Sequence, residues 1–206
     1  MENYYIWIPL APLLGAIIAG LGGKWIGRAG AHTVTILGVA VSCVLSLMTL
    51  YQQYWGGAEP YNGTVYTWAV ADGINIEVGF LIDRLTAVMM SVVTFVSLMV
   101  HVYTIGYMAH DEENWPAGSR AGTNSYQRFF AYIALFTFSM LMLVMANNFM
   151  QLFFGWEAVG LVSYLLIGFW SARPSAVFAN LKAFLVNRVG DFGFLLGIGA
   201  LLAFYG

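Results

Sequence analysis

Six runs of apolar residues divide this 206-residue chain, and each is close to the length that crosses a lipid bilayer. A membrane-spanning helix needs about 20 apolar residues at about 1.5 Å each. Charged residues make up 9% of the chain, against about 25% in a soluble domain. The runs are about Tyr5–Leu21, Thr33–Tyr54, Leu85–Met108, Phe129–Ala146, Asn148–Trp170 and Ala176–Gly206. We therefore predict an all-α polytopic membrane protein of about six transmembrane helices.

The segment between the second and third runs has the pattern of β-strands. Apolar side chains alternate with polar or small ones from Ile74 to Phe80, a period of two that is typical of a strand. Thr64–Val70 is β-prone, and Asp72-Gly73 is a turn signal between the two stretches. We predict a small extramembrane β-hairpin that caps the helix ends.

Basic residues mark one side of the membrane. They follow the odd-numbered runs, at Lys24, Arg28, Arg120, Arg128 and Arg173. The opposite loops contain only Arg84. Because cytoplasmic loops carry an excess of Lys and Arg, we predict that the N-terminus and the hairpin lie outside. The chain then divides into residues 1–55 with two transmembrane helices, 56–83 with the extracytoplasmic hairpin, and 84–206 with the third to sixth transmembrane helices.

The fifth run contains one ionisable residue, Glu157, near its middle. A charge at the bilayer centre costs on the order of 3 kcal/mol on insertion scales. This cost falls if the group has a partner, borders water or binds a proton, and loss of water favours the protonated carboxyl. Glu157 is therefore our first candidate for proton translocation. The alternative is a structural carboxylate paired to a neighbouring helix.

Three ionisable residues lie within the sixth run: Lys182, Arg188 and Asp191. Arg188 and Asp191 are three positions apart, so they share a helix face and can pair. Lys182 points to the opposite face, where it either extends to the cytoplasmic interface or makes a polar contact with another helix. Charges at several depths in adjacent helices are typical of the proton relays of pumps and transporters.

Two further residues have open roles. Tyr164 lies about two turns after Glu157 on the same face, where it either donates to a carboxylate or packs as an aromatic residue. His101, inside the third run, is either a proton carrier or a packing residue. The small-residue stripe Gly193-x-x-x-Gly197 predicts a close contact between helices.

Several classes of function are disfavoured. The net charge is −2 and there is no basic tail, which argues against nucleic acid as a partner. The single cysteine, Cys43, offers neither an intrachain disulfide nor a metal cluster. We interpret the acidic triplet 111–113 as a solvated surface rather than a metal site. The sequence has no C-x-x-C motif, no paired histidines suited to axial ligation and no glycine-rich phosphate loop, so no cofactor is expected in this chain.

Four stretches resemble one known family. They are FFGWEAVGLVSYLLIGFW at 153–170, KAFLVNRVGD at 182–191, DRLTAVMM at 83–90 and HVYTIGYM at 101–108. Together they resemble the antiporter-like membrane subunits of respiratory complex I, the proton-translocating NADH:quinone oxidoreductase. The chain L, or subunit five, type is the most similar. Members of this family run to several hundred residues, so the resemblance implies that these 206 residues correspond to the N-terminal portion.

The resemblance also implies a mechanism and partners. Such subunits contain inverted five-helix repeats and a proton path along the membrane midplane. They act within an enzyme complex whose FMN, iron–sulfur clusters and quinone belong to partner subunits. The expected partners are other membrane-arm subunits and the lipid bilayer. The expected location is the inner (plasma) membrane of a bacterium rather than the inner membrane of a mitochondrion. The family's functional positions map onto Glu157, Lys182, Arg188, Asp191 and His101.

Three alternatives remain at this stage. The first is the large subunit of an Mrp-type sodium/proton antiporter, which shares these motifs. The second is an arm subunit of a membrane-bound hydrogenase. The third belongs to another class: a structural subunit that stabilises a membrane arm and moves no protons.

Overall fold

A computed structural model describes residues 4–71, 74–116, 119 and 122–205 of the chain. Five helices in these ranges are long and apolar enough to cross a membrane. They are α1 (Trp7–Tyr54), α2 (Arg84–Tyr107), α3 (Ser125–Val144), α4 (Phe149–Ile167) and α5 (Pro174–Tyr205). Two strands, β1 (Tyr61–Ala71) and β2 (Ile74–Ile82), lie between α1 and α2. The predicted fold class, a helical membrane protein with a small hairpin, is confirmed.

Helix α1 contains the first two predicted spans, because it bends sharply at Gly27. A straight helix of its 48 residues would be about 72 Å long, roughly twice the hydrocarbon thickness of a bilayer. Gly27 has a φ of 67° and a ψ of −171°, which glycine adopts without steric penalty. The two arms pack antiparallel, since a methyl group at Gly38 would lie 2.6 Å from the carbonyl oxygen of Ala11. The predicted gap at residues 22–32 is wrong, because these residues are helical except at the bend.

A hydrogen bond between the two arms of α1 compensates for the N–H group that a proline lacks. Pro12 lies inside the first arm and has no N–H to donate to the carbonyl of Ile8, one turn earlier. The hydroxyl group of Ser42, on the second arm, donates to this carbonyl at 2.6 Å. The proline therefore leaves no unsatisfied acceptor in this buried contact.

The predicted hairpin is present and covers one end of the helices. β1 and β2 pair antiparallel, and the turn between them, at residues 72–73, lies outside the described residues. Phe80 and Ile82 of β2 are buried in a cluster with residues of α1, α2 and α3. The N–H of Leu81 donates to the carbonyl oxygen of Met145, just after α3, at 3.0 Å. The hairpin thus caps these helix ends, as expected.

One carboxylate of the acidic triplet is buried, so the prediction of a solvated surface is wrong for it. Asp111 is 2% exposed. Its two oxygens each accept one hydrogen bond, from the indole N–H of Trp115 at 3.0 Å and from that of Trp170 at 2.8 Å. Trp170 follows α4, so Asp111 ties the segment after α2 to the end of α4. Glu112 and Glu113 are exposed, as predicted.

Replacing Asp111 with Asn is expected to lower the free energy of unfolding by about 1–3 kcal/mol, the cost of one buried donor without an acceptor. Asn has the same shape but a single acceptor oxygen, whereas two indole N–H groups each need one. Thermal unfolding of the full-length protein in detergent measures the difference. Glu113→Gln is the control and should leave the curve unchanged. Equal stability of Asp111→Asn and the wild type would contradict this role.

Candidate functional site

Helices α4 and α5 pack side by side and carry the charged residues singled out in the sequence. α4 begins after Asn148, whose side-chain oxygen accepts a hydrogen bond from the N–H of Gln151 at 2.8 Å. Such an N-cap fixes where a helix starts. α5 begins at Pro174, a residue suited to the first helical position because no N–H is needed there. Glu157 then falls about halfway along α4, and Arg188 about halfway along α5.

A single cation, Arg188, is shared by two carboxylates at this level. Its Nη1 donates to Oε2 of Glu157 in an ion pair that joins α5 to α4. Its Nε lies 3.1 Å from Oδ2 of Asp191, one turn further along α5. The prediction that Arg188 and Asp191 share a face and pair is confirmed. The spacing within α5 did not indicate which residue of α4 would join them.

Arg188, Glu157 and Asp191 form a charged cluster with a fourth member, Trp156, which sequence reasoning missed. Its indole N–H donates to Oδ1 of Asp191 at 2.8 Å. Tryptophan in membrane proteins is enriched at the interfaces, whereas Trp156 lies mid-helix beside Glu157. An indole N–H that is removed from water needs an acceptor. The mid-span position is therefore the signal that could have identified Trp156.

The charged cluster has an excess of negative charge when both acids are ionised. One guanidinium and two carboxylates carry a net charge of −1, and no other described cation forms an ion pair with them. The exposed fraction of the side chain rises from 8% for Asp191 to 24% for Glu157 and 36% for Arg188. Nε of Arg188 and Oδ2 of Asp191 are buried without a hydrogen bond to a described residue. The contact with Asp191 is therefore the looser of the two.

Lys182 and Tyr164 are not brought into the charged cluster. Lys182 is exposed on α5 and forms no ion pair with a described residue. The ring of Tyr164 packs on Phe184 with centroids 5.2 Å apart. The guanidinium carbon of Arg188 lies 4.9 Å from the centroid of the same Phe184 ring. Phe184 thus contacts both Tyr164 and the cluster, whereas Tyr164 makes no hydrogen bond to Glu157.

His101 lies in a different part of the fold, the core that α2 forms with α1 and α3. It is fully buried, and its Nδ1 donates to the carbonyl oxygen of Ser97 at 2.8 Å. Its ring contacts Phe130 of α3 edge-on. Its Nε2 has no hydrogen-bond partner among the described residues. The structure does not join His101 to the charged cluster, and its two interpretations stay open.

Within the described chain, the close contact between helices lies at a glycine of α4, and the predicted contact at the Gly193-x-x-x-Gly197 stripe stays a prediction. A methyl group at Gly193 or Gly197 would meet no heavy atom of the described chain within 4 Å, so the α5 stripe makes no such contact there. A methyl group at Gly155 of α4 would lie 2.7 Å from Cα of Leu143 on α3. Small residues do permit close helix approach, and here they set the position of α4, two residues before Glu157.

Two family profiles match the chain in succession. Residues 68–130 match the family described as NADH-Ubiquinone oxidoreductase (complex I), chain 5 N-terminus. Residues 146–206 match the family described as NADH:quinone oxidoreductase/Mrp antiporter, TM. The second match contains all four residues of the charged cluster.

Curated relatives match almost the whole chain. NADH-quinone oxidoreductase subunit L of Neisseria meningitidis serogroup A is 65% identical over 202 residues, which are 98% of this chain and 28% of that protein. Subunit L of Rhodobacter capsulatus is 50% identical over 93% of this chain and 26% of its own length. NADH-ubiquinone oxidoreductase chain 5 of Arabidopsis thaliana is 45% identical over 94% of this chain and 27% of its own length. The chain thus spans just over a quarter of the length of these relatives.

A solved structure has the same fold. A chain in the structure of the membrane-bound sulfane sulfur reductase, an archaeal respiratory membrane complex, matches with a TM-score of 0.76. The match covers 100% of this chain and 38% of that chain, at 16% sequence identity. Together with the profiles and the relatives, this places the protein by fold and by sequence. The chain belongs to the antiporter-like membrane subunits of complex I and corresponds to the N-terminal portion of the subunit L, or chain 5, type.

Proposed function

We propose that this chain is part of a membrane-arm subunit of NADH:quinone oxidoreductase and that it carries protons across the membrane while quinone is reduced elsewhere in the complex. The observation that carries the proposal is the sharing of Arg188 by Glu157 and Asp191 within two apolar helices. In low-dielectric surroundings an uncompensated charge is costly, and uptake of one proton makes this three-charge group neutral.

The position of the Arg188 guanidinium decides which acid binds the proton. While it lies on Glu157, that carboxylate is stabilised as an anion, because a nearby opposite charge favours the ionised form. When the guanidinium moves onto Asp191, Glu157 loses its counter-charge and takes up a proton. Return of the guanidinium releases the proton. A shift of charge in a neighbouring subunit can bias this movement, which couples quinone reduction to proton transfer.

The other residues have secondary parts in this proposal. Trp156 holds Asp191 in place through its indole N–H. Lys182, exposed on α5, is a second cation that tunes the charged cluster from elsewhere along the path. Tyr164 and His101 stay candidates for proton transfer without a contact to Glu157.

The subunit works among partner subunits in a bacterial membrane, with its N-terminus outside. FMN, iron–sulfur clusters and quinone belong to partner subunits, and this chain supplies no redox chemistry itself. Other membrane-arm subunits surround it in the inner membrane of a bacterium. The distribution of basic residues supports an N-terminus outside. Lys24 and Arg28 lie near the bend of α1, whereas Arg84 is the one basic residue of the loops at the hairpin end, and cytoplasmic loops carry the excess of Lys and Arg.

Replacing Asp191 with Asn in the full-length subunit distinguishes a proton carrier from a scaffold. Asn keeps an acceptor for Trp156 but leaves Arg188 paired with Glu157 alone, a neutral pair that no longer gains from a proton. We expect an assembled complex whose proton translocation through this subunit is strongly reduced. The readouts are the amount of assembled complex and the protons moved per electron. Loss of assembly with unchanged coupling in the remaining complex would favour the scaffold, and Glu59→Gln is the control.

A sodium/proton antiporter is the second candidate, because the profile that matches residues 146–206 also describes the Mrp antiporter. The two candidates differ in partners. Purification of the full-length protein from its native membrane separates them: flavin and iron–sulfur proteins accompany a complex I subunit. Growth of a transporter-null strain on sodium at alkaline pH would instead indicate the antiporter.

A further inference from the structure

A polar cavity lies between α3, α4 and the first turns of α5, at the end of α4 that is remote from the hairpin. Its volume is about 340 Å³, and its lining includes Tyr164, Asn180 and Ser171. Arg128 also lines it, but its guanidinium carbon lies over two aromatic rings, so this cation is already engaged. The cavity therefore gathers neutral polar groups at one end of the two helices that carry the charged cluster.

Two polar groups of this cavity have no partner within the described chain. The side-chain oxygen of Asn180 is buried without a hydrogen bond to a described residue. The Asn180 amide is held against α4, because a methyl group at Gly168 would overlap its Nδ2. The hydroxyl group of Tyr164 makes no hydrogen bond to a described residue either. Buried groups of this kind bind ordered water, and the cavity has room for several water molecules at about 30 Å³ each.

Phe184 lies between this cavity and the charged cluster. It is four positions after Asn180 and four before Arg188 on α5, so the three side chains lie on one helix face. The centroid of its ring is 5.2 Å from the centroid of the Tyr164 ring and 4.9 Å from the guanidinium carbon of Arg188. A phenyl ring offers no hydrogen-bonding group to a proton path, and apolar constrictions stop conduction by excluding water.

We propose, on the basis of the proton-carrying function inferred above, that this cavity delivers protons to Glu157 and that the ring of Phe184 is the gate between them. While Arg188 pairs with Glu157, its guanidinium also attracts the Phe184 ring through a cation–π contact, and the gate is closed. Movement of the guanidinium onto Asp191 breaks this contact and releases the ring. A hydrated proton from the cavity then binds the Glu157 carboxylate, which leaves a water molecule and a neutral carboxyl group.

The proton leak of the resting complex tests the gate, with the full-length subunit in its purified complex and in sealed vesicles. A potassium diffusion potential drives protons inward without any reductant, and a trapped pH dye reports them. We expect Phe184→Ala to leak several-fold faster than the wild type, because the smaller side chain leaves room for water. Phe184→Leu keeps apolar bulk and should stay tight. Phe178→Ala, at an exposed phenylalanine of the same helix, is the matched control.

A double variant tests where the leak runs. Adding Glu157→Gln to Phe184→Ala should remove the leak, because no carboxylate then receives the proton beyond the gate. A leak that persists in the double variant overturns the path to Glu157, and a Phe184→Ala complex as tight as the wild type overturns the gate. Full proton translocation in Glu157→Gln alone would instead refute the proton-carrying function, so the two failures are distinct.

The cavity has a test of its own, which also decides the case in which Phe184→Ala fails to assemble. Asn180→Leu has nearly the same shape and removes the acceptor that we assign to water. We expect fewer protons moved per electron at unchanged assembly, because the cavity holds less water. Val177→Ala, on the wall of the same cavity, is the control. Equal coupling in Asn180→Leu and the wild type would overturn the delivery of protons through this cavity.

Discussion

Replacing Glu157 with Gln in the full-length subunit is expected to stop proton translocation through this subunit while the complex still assembles. Gln has nearly the same shape and its carbonyl oxygen still accepts a hydrogen bond from Arg188, so the contact between α4 and α5 survives. It cannot bind and release a proton at neutral pH. The change also leaves Arg188 and Asp191 as a neutral pair, which removes the reason for proton uptake.

The measurement is the number of protons moved per electron by the complex in sealed vesicles. Translocation assigned to this subunit should fall to background, and quinone reduction with an uncoupler present should persist. Glu59→Gln, an exposed carboxylate outside the membrane helices, is the matched control. Full proton transfer in Glu157→Gln would refute the role of this carboxylate.

Replacing Arg188 with Leu is expected to have the largest effect on stability. It leaves Glu157 and Asp191 as two neighbouring acids without a counter-charge in low-dielectric surroundings. Removing one partner of a buried ion pair costs about 3–5 kcal/mol. We expect the lower end, about 3 kcal/mol, because the side chain of Arg188 is 36% exposed. The thermal unfolding of the purified complex reports the change.

Neutralising the acids should restore most of that loss. In the triple variant Arg188→Leu, Glu157→Gln, Asp191→Asn, no uncompensated charge remains, and neutral replacement of an entire ion pair is often close to neutral in stability. The comparison separates charge from shape, because both variants carry the same Leu at 188. A triple variant as unstable as Arg188→Leu alone would show that Arg188 acts through packing rather than through its charge.

Much of the fold follows from local patterns. The lengths of the apolar runs predict the membrane helices, since a span has a fixed minimum length. The alternation from Ile74 to Phe80 predicts β2, since side chains of a strand point to opposite faces in turn. The three-residue spacing predicts the pair of Arg188 and Asp191, which both lie on α5. Each of these features depends on residues that are close together in the sequence.

The features that the sequence did not predict share one cause: each depends on contacts between residues that are far apart in the chain. The two apolar runs that end at Leu21 and begin at Thr33 suggested separate helices, but helix continues through the intervening residues on both sides of Gly27. Asp111 looked solvated beside two other acids, although the Trp115 and Trp170 indoles enclose it. The contact at Gly155, where α4 closely approaches Leu143 of α3, had no signal in the spacing of α4 itself.

The sequence by itself determined the helical membrane class, the hairpin and the presence of charges midway along apolar segments. These depend on helix rise, strand period and the cost of charge in lipid, which are properties of short segments. The tertiary structure alone decided that Arg188 bridges Glu157 and Asp191, that Trp156 joins them, and that Lys182 does not. Those contacts depend on the orientation and depth at which α4 packs against α3 and α5. That arrangement is set by steric contacts between residues far apart in the chain, which no local periodicity encodes.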